Sequence, residues 1–537
     1  MAGRPAVPAI LLYNPPLLAE EGGGKMNSKA AKQSIHGGLP PASTPEAPRS
    51  TKHRKPLARK VIGLAAWAGP RVGRIGPLRR ALTDSWERKI REGIEADIGK
   101  GLHPPGVVRD RAEISIAMLR TIERGVAEGR LGRASVDRLL NVLIGDSLVS
   151  HGIPSAKERF TARFGVRPPG FLLISPTKTC NLHCTGCYAD SGPTSEKLEW
   201  PIILRLVREA RELWGAVFIV ISGGEPLAYR DERKTVLDLA EMNPGCFFMM
   251  YTNGTLIDDE VARRLGKTGN LIPAISVEGM REETDKRRGA GIFDRAVAAM
   301  ERLRREKVLF GISMTATRDN AEHLLSDEVV DFYFGRMGAL YGWLFHYMPI
   351  GRAFTLQMLP TPEQRLWMWR RSWQLVYDRH LFLADFWNSG TVSLGCISAG
   401  HEGGYMTVDW DGKVSPCVFI PYSPLNIHQA YAQGKTLTDV WLHPFLARIR
   451  AWQADYSNEK RYTKGSRHGN WMMPCPIRDH YDEFFGVLRE YGPEPVDESA
   501  QAAMLDPEYR RGMVSYNRAV AELFDPIWKT RYMEGKE

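Results

Sequence analysis

Between residues 170 and 350 the chain alternates short apolar runs with amphipathic stretches. The apolar runs are 171–176 (FLLISP), 216–222 (AVFIVIS), 247–252 (FFMMYT), 272–277 (IPAISV), 309–315 (LFGISMT) and 341–348 (YGWLFHYM). Each has the length of a buried strand and is bounded by turn residues. Helical spacing fills most of the gaps, at 201–214, 231–241, 257–266, 292–306 and 322–337. This alternation predicts β-α units around a parallel sheet. Six such units make a partial (β/α)6 TIM-like barrel in the α/β class, two units short of the full fold. Functional groups then gather at the C-terminal strand ends.

The flanks read differently. Residues 57–165 predict an N-terminal helical region. Ile114, Met118, Ile122 and Val126 share one face of a helix over 112–126, and Ser135 reads as the N-cap of a second helix through Leu139, Leu140 and Leu143. The barrel is expected over 166–389. A Gly- and Pro-punctuated small α+β domain follows over 390–485, with Asp411-Gly412 as a tight hairpin turn, and a C-terminal helical tail over 486–537. Residues 1–56 are Pro-, Ala- and Gly-rich and read as a disordered basic leader, in which Met26 offers a second start.

Charge changes the functional picture only once it is located. The net charge is +10 over 537 residues, but residues 1–60 hold ten Lys/Arg against three Asp/Glu. The rest is close to neutral, which argues against a nucleic-acid partner needing a basic groove. The sequence shows neither a run long enough to span a bilayer nor the layout of a secretory signal. Residues 57–82 mix Val61, Ile62, Leu64, Trp67, Ile75 and Leu78 with Arg59, Lys60, Arg71, Arg74, Arg79 and Arg80. That mixture suits peripheral contact with an anionic membrane, and equally a linker packing on the body. The expected location is cytoplasmic, with or without that contact.

Seven Cys residues are present, at 180, 184, 187, 246, 396, 417 and 475. The odd number and the tight first cluster favour metal ligation over disulfides. Cys180, Cys184 and Cys187 follow the first strand. Three thiolates on one loop can hold three irons of a four-iron cluster and leave the fourth open to a chelating ligand. Zinc is the competing reading, but it wants four ligands, usually as two knuckles; His183 between two of the Cys is cramped. Gly223-Gly224-Glu225-Pro226 follows the second strand, where two glycines allow close backbone approach to a ligand. Thr252-Asn253-Gly254-Thr255 ends the third strand, Ser276-Val277-Glu278-Gly279 the fourth, and Arg288-Gly289 lies just beyond.

This set resembles the radical S-adenosylmethionine (SAM) superfamily over about 170–355. The resemblance implies a SAM-binding [4Fe–4S] cluster on Cys180, Cys184 and Cys187. It implies SAM contacts from Gly223, Gly224, Glu225, Pro226, Thr252, Asn253, Ser276 and Glu278, with Arg288 toward the SAM carboxylate. Asp is more usual in the family at the position of Glu278. An aromatic usually precedes the third Cys; here Gly186 stands there and Tyr188 follows, so Tyr188 becomes the candidate at the adenine. Thr315 and Thr317 read as ordinary strand residues that could also line the fifth strand end.

Cys396, Cys417 and Cys475, with Thr436-Leu437-Thr438-Asp439-Val440-Trp441 between the last two, resemble the SPASM/twitch extensions of that superfamily. The resemblance implies one auxiliary iron–sulfur cluster. Its fourth ligand would be His401 or His480, or its fourth iron stays open to substrate. Cys246 reads as a core residue. The family resemblance further implies a one-electron donor such as flavodoxin or ferredoxin. It also implies reductive cleavage of SAM to a 5′-deoxyadenosyl radical, and hydrogen abstraction from an unactivated C–H bond. The substrate is left open between a peptide or protein and a lipid or other hydrophobic small molecule. Trp343, Phe345, Tyr347, Trp367, Trp369 and Trp373 could line an apolar substrate cavity, although aromatics at such spacings are more often core. The alternatives are a zinc-binding scaffold and an iron–sulfur maturation or electron-transfer protein without radical chemistry.

Overall fold

The computed structural model describes residues 76–139, 155–352, 354–398, 403–457 and 468–536. The leader, Ile75 and its upstream neighbours, Leu140, Leu143 and His401 lie outside those residues. The six predicted strands are present as β1 (Phe171–Ile174), β2 (Phe218–Ile221), β3 (Phe247–Thr252), β4 (Leu271–Val277), β5 (Gly311–Ala316) and β6 (Gly342–His346). They pair in sequence order, each parallel to the last. Their near-continuous burial is that of a parallel sheet covered on both faces. Helices Trp200–Trp214, Val236–Met242, Asp259–Thr268 and Ile292–Arg305 make the crossovers. The second starts later than the sequence predicts. Asp231 and Lys234 pair in an isolated bridge, and Thr235 with Asp238 forms a capping box.

The sheet continues past both predicted edges. β7 (Leu383–Asp385) adds a seventh parallel strand beside β6. On the other side β8 (Tyr405–Val408) runs parallel to β1, in register from Phe171 opposite Tyr405 to Ile174 opposite Val408. β9 (Lys413–Ser415) and β11 (Leu425–Asn426) then add antiparallel strands. The tenth and twelfth strands, Tyr422–Ser423 and Glu494–Pro495, form a separate pair. The hairpin at Asp411-Gly412 joins β8 to β9, with Gly412 at φ +83°, where a side chain would be strained. The region after the barrel thus shares the barrel's own sheet.

In the N-terminal region, Gly76–Gly99 packs on Pro105–Ala127, which contains the predicted 112–126 helix. Leu78 and Leu82 on the first of these are 42% and 47% exposed. Ser135 is not an N-cap. It is buried inside Arg133–Arg138, whose cap position is Gly132. Asp110 ties this region to the C-terminus, accepting from Tyr532 (2.7 Å), Thr391 (2.8 Å) and Tyr377 (3.2 Å). No helix among the described residues is long and apolar enough to cross a membrane.

Candidate functional site

The loop after β1 carries Cys180, Cys184 and Cys187 into a cavity of about 260 Å³ at the C-terminal strand ends. Its backbone is held from three sides. Cys180 N–H donates to Gly192 O, and Thr185 N–H to Arg287 O. Arg352 clasps the far end, donating its Nη1 to Cys184 O and its backbone N–H to Cys187 O, both at 2.9 Å. Gly351 lies so close to the Cys187 and Tyr188 carbonyls that a Cβ would collide with them. The Cys180 sulfur receives Leu182 N–H at 3.5 Å and Asn253 Nδ2 at 3.9 Å. Burial nevertheless pushes its thiol up to about 11, so metal binding there must displace a proton.

Gly223-Gly224-Glu225 is zipped against the approach to the cysteine loop. Gly224 N–H donates to Thr177 O and Glu225 N–H to Thr179 O, both at 2.8 Å. A Cβ on Gly224 would run into the Thr179 carbonyl oxygen, so only glycine fits. The Glu225 side chain, 1% exposed, is a clamp between strand ends. Its Oε1 accepts from Leu227 N–H (3.0 Å) and the Thr252 hydroxyl (2.7 Å), and its Oε2 from Asn253 N–H (2.8 Å). Burial raises its proton affinity, and these donors oppose that shift. Tyr188 lines the cavity, with its hydroxyl 2.7 Å from Ser222 Oγ and accepting from Gly223 N–H at 3.1 Å.

The cavity brings together Cys180, Cys184, Cys187, Tyr188, Gly223, Gly224, Glu225, Thr252, Asn253, Ser276, Arg288 and Thr315. Pro226 and Glu278 do not line it. Glu278, fully buried, stands behind the wall. It takes Arg287 Nη1, Arg288 Nη2 (2.5 Å) and Thr315 N–H (3.0 Å). It therefore holds the two arginines from behind the wall. Arg287, which the sequence does not single out, lines the cavity, and its Nε finds no hydrogen-bond partner among the described residues. A guanidinium N–H without a partner, on an arginine that lines the cavity, suits a carboxylate-bearing ligand. Thr317 binds Asn320 and is not part of the wall.

Gly186, at φ +65°, leaves room for a side chain from elsewhere: a Cβ there would lie 2.7 Å from Tyr347 Cε2. Tyr347, from the end of β6, thus fills the space beside the third cysteine. Trp343 and Phe345 also line the cavity, with Phe386 and Phe419. Trp367, Trp369 and Trp373 do not; Trp369 packs against Phe524 of the C-terminal helix. No sequence signal marks Arg287 or Arg352 apart from their nearness to predicted strand ends, whereas Tyr347 belongs to the aromatic run expected to line a cavity.

The second cysteine set is also assembled. Cys396 and Cys475 are hydrogen-bonded to each other; Cys396 lies close enough to raise the cost of charging Cys417, and Cys417 does the same to Cys475. Hydrogen bonds from Cys475, Ser398 and Gln453 bring the Cys396 thiol down to about 7, while burial pushes Cys417 up to about 12. The Tyr405 hydroxyl lies 2.8 Å from Cys417 Sγ. Neighbours of this set, Ile397, Val418, Phe419 and Tyr405, line the first cavity, so the two sets sit on opposite sides of one wall. His480 directs Nε2 to Met473 O at 2.8 Å and packs on Tyr456. Cys246 is buried in the core ahead of β3. Among the described residues, no three His, Cys, Asp or Glu side chains converge as the ligands of a single ion do. Cluster thiolates bind separate irons and stand farther apart.

A partial barrel with a three-cysteine loop at its first strand end and a close-packed glycine turn at its second is an arrangement suited to an iron–sulfur cluster beside a bound small cofactor. Residues 174–325 match the Radical SAM superfamily, and the chain carries a domain of that kind over this stretch. The family cofactors are a [4Fe–4S] cluster and SAM, and the donor set and cavity described above fit both. The chain is 32% identical over 155 residues to the Fe-coproporphyrin III synthase of Methanosarcina barkeri, covering 28% of this chain and 37% of that protein. It is 28% identical over 314 residues to the mycofactocin maturase MftC of Mycolicibacterium smegmatis, covering 55% of this chain and 75% of that one. The crystal structure of Streptococcus suis SuiB bound to precursor peptide SuiA is similar at 17% identity and a TM-score of 0.46, over 58% of this chain and 74% of that one.

Proposed function

We propose that this chain uses a [4Fe–4S] cluster on Cys180, Cys184 and Cys187 to cleave SAM and oxidise an unactivated C–H bond of an apolar substrate. The observation that carries the reading is the convergence of those thiols, the Gly223-Gly224-Glu225 turn and the β3 end on one cavity. When bound and reduced by a one-electron donor such as flavodoxin or ferredoxin, the cluster and SAM supply a 5′-deoxyadenosyl radical that abstracts hydrogen. The chain's own residues orient and shield. Gly223 and Gly224 admit the amino-acid end of SAM against the backbone, and Glu225 locks β2 to β3 beneath it. Arg287 and Arg288, steered by Glu278, offer guanidinium donors to the SAM carboxylate. Thr252, Asn253 and Ser276 present polar groups along the cavity, and Tyr188 or Tyr347 covers the adenine. Trp343, Phe345, Phe386 and Phe419 form an uncharged wall, which suits a substrate whose reacting part is apolar, whether on a peptide or a hydrophobic small molecule. That wall also keeps water from reactive species.

Cys396, Cys417 and Cys475 are proposed to hold one auxiliary iron–sulfur cluster behind the same wall. Anaerobically reconstituted protein should bind about four irons per cluster, hence about eight, with matching sulfide. Reduced protein should form 5′-deoxyadenosine from SAM, and Ala at Cys180, Cys184 and Cys187 should abolish it. Zinc without sulfide, or no 5′-deoxyadenosine from the fully loaded protein, would overturn the reading.

A further inference from the structure

We infer that Tyr405 tunes the reduction potential of the cluster on Cys396, Cys417 and Cys475, a role that rests on reading those residues as ligands. Tyr405 opens β8 and sits in register with Phe171 of β1. Its ring stacks on Phe171 at 4.7 Å and 11°, forming part of the cavity wall. Its hydroxyl passes through that wall to Cys417 Sγ at 2.8 Å. Tyr405 is 2% exposed and Cys417 6%. Phe419 N–H gives the same sulfur a second contact at 3.5 Å.

An iron-bound thiolate carries no proton, so in the loaded protein the tyrosine hydroxyl is the donor of this pair. A hydrogen bond to a ligand sulfur holds negative charge better in the reduced cluster, which has more of it, and so raises the potential. Burial strengthens the effect, because water does not compete for the sulfur. The strand pairing of β8 with β1 fixes the ring and therefore the hydroxyl. Tyr405 is thus a positioning residue acting through Cys417.

The test uses the full chain with Cys180, Cys184 and Cys187 replaced by Ala, reconstituted with iron and sulfide, so that only the second set is read. A dye-mediated redox titration followed by electron paramagnetic resonance compares this protein with one also carrying Tyr405→Phe. The expected result is a potential lowered by a roughly tenfold change in the equilibrium, about 59 mV for a one-electron couple. Tyr422→Phe removes another buried hydroxyl, one that donates to Ala500 O at 3.2 Å, and should leave the potential in place. Equal potentials with and without the Tyr405 hydroxyl refute the inference while the cluster reading stands. Failure of Tyr405→Phe to load iron also refutes it, making the residue one of assembly. If the starting triple variant holds no iron–sulfur cluster, the auxiliary reading itself falls.

Discussion

Glu225→Gln isolates the clamp between β2 and β3 with little change of shape. The carboxylate accepts three hydrogen bonds, two on Oε1 and one on Oε2. Glutamine has one carbonyl oxygen. If that oxygen keeps Leu227 and Thr252, the amide group faces Asn253 N–H, donor against donor. A buried donor left without a partner costs about 1–3 kcal/mol. Removing a charge that burial disfavours offsets part of the loss. The weaker bonds to a neutral acceptor add to it, because hydrogen bonds to charged groups contribute about 1.5–3 kcal/mol each. A net cost of about 2 kcal/mol follows. If the loops keep their shape, the cost appears in stability. A barrel of this size would then lose about 4–8 °C in melting midpoint. If Asn253 lets go, it appears in SAM affinity, as about 30-fold in dissociation constant. Calorimetric titration of SAM and thermal melts of the same anaerobic preparation measure both. A variant with unchanged melting midpoint and a dissociation constant within twofold of the parent would refute the clamp.

Arg365 and Asp479 form a fully buried ion pair at 2.5 Å. Asp479→Asn should cost about 3–5 kcal/mol in denaturant unfolding, and Arg365→Met with Asp479→Leu together should cost much less; a double variant no better than the single one contradicts this. Burial pushes the imidazole of His346 down to about 4, despite Asp385 at 3.1 Å. The unfolded chain therefore takes up a proton near pH 6.5 that the folded chain takes up only near 4. Stability should fall across that window as pH drops, by about 3 kcal/mol from this group, and an unchanged pH slope in His346→Gln would count against it.

The parallel core was legible because each strand is an apolar run with nothing else to do but bury itself. What was missed had no such pattern. Helix Arg281–Arg288 reads REETDKRR, with no apolar stripe to betray its period. β7 is three residues long, too short to alternate visibly. At the site, the glycines and cysteines were found because their chemistry is local. Glu278 stands at the predicted strand end but lies behind the cavity wall, bound to Arg287 and Arg288. It lies one residue past β4, where the alternation that sends Ser276 to the cavity no longer holds. Tyr347 and Arg352 act on a loop some 160 residues upstream, and no local pattern encodes that meeting.

The pairing of β8 with β1 has a consequence for how the protein is made. β1 gains its second neighbour only after roughly 230 further residues have been synthesised. At about 5–20 residues per second, that is a wait of roughly 10–50 s on the ribosome. During this interval β2 to β7 can assemble while the edge beside the first cysteine loop stays unpaired. The same late strand delivers Tyr405 and precedes Cys417. Sealing the barrel's edge therefore falls between the arrival of Cys396 and that of Cys417, and the second thiol set is complete only when Cys475 emerges later still.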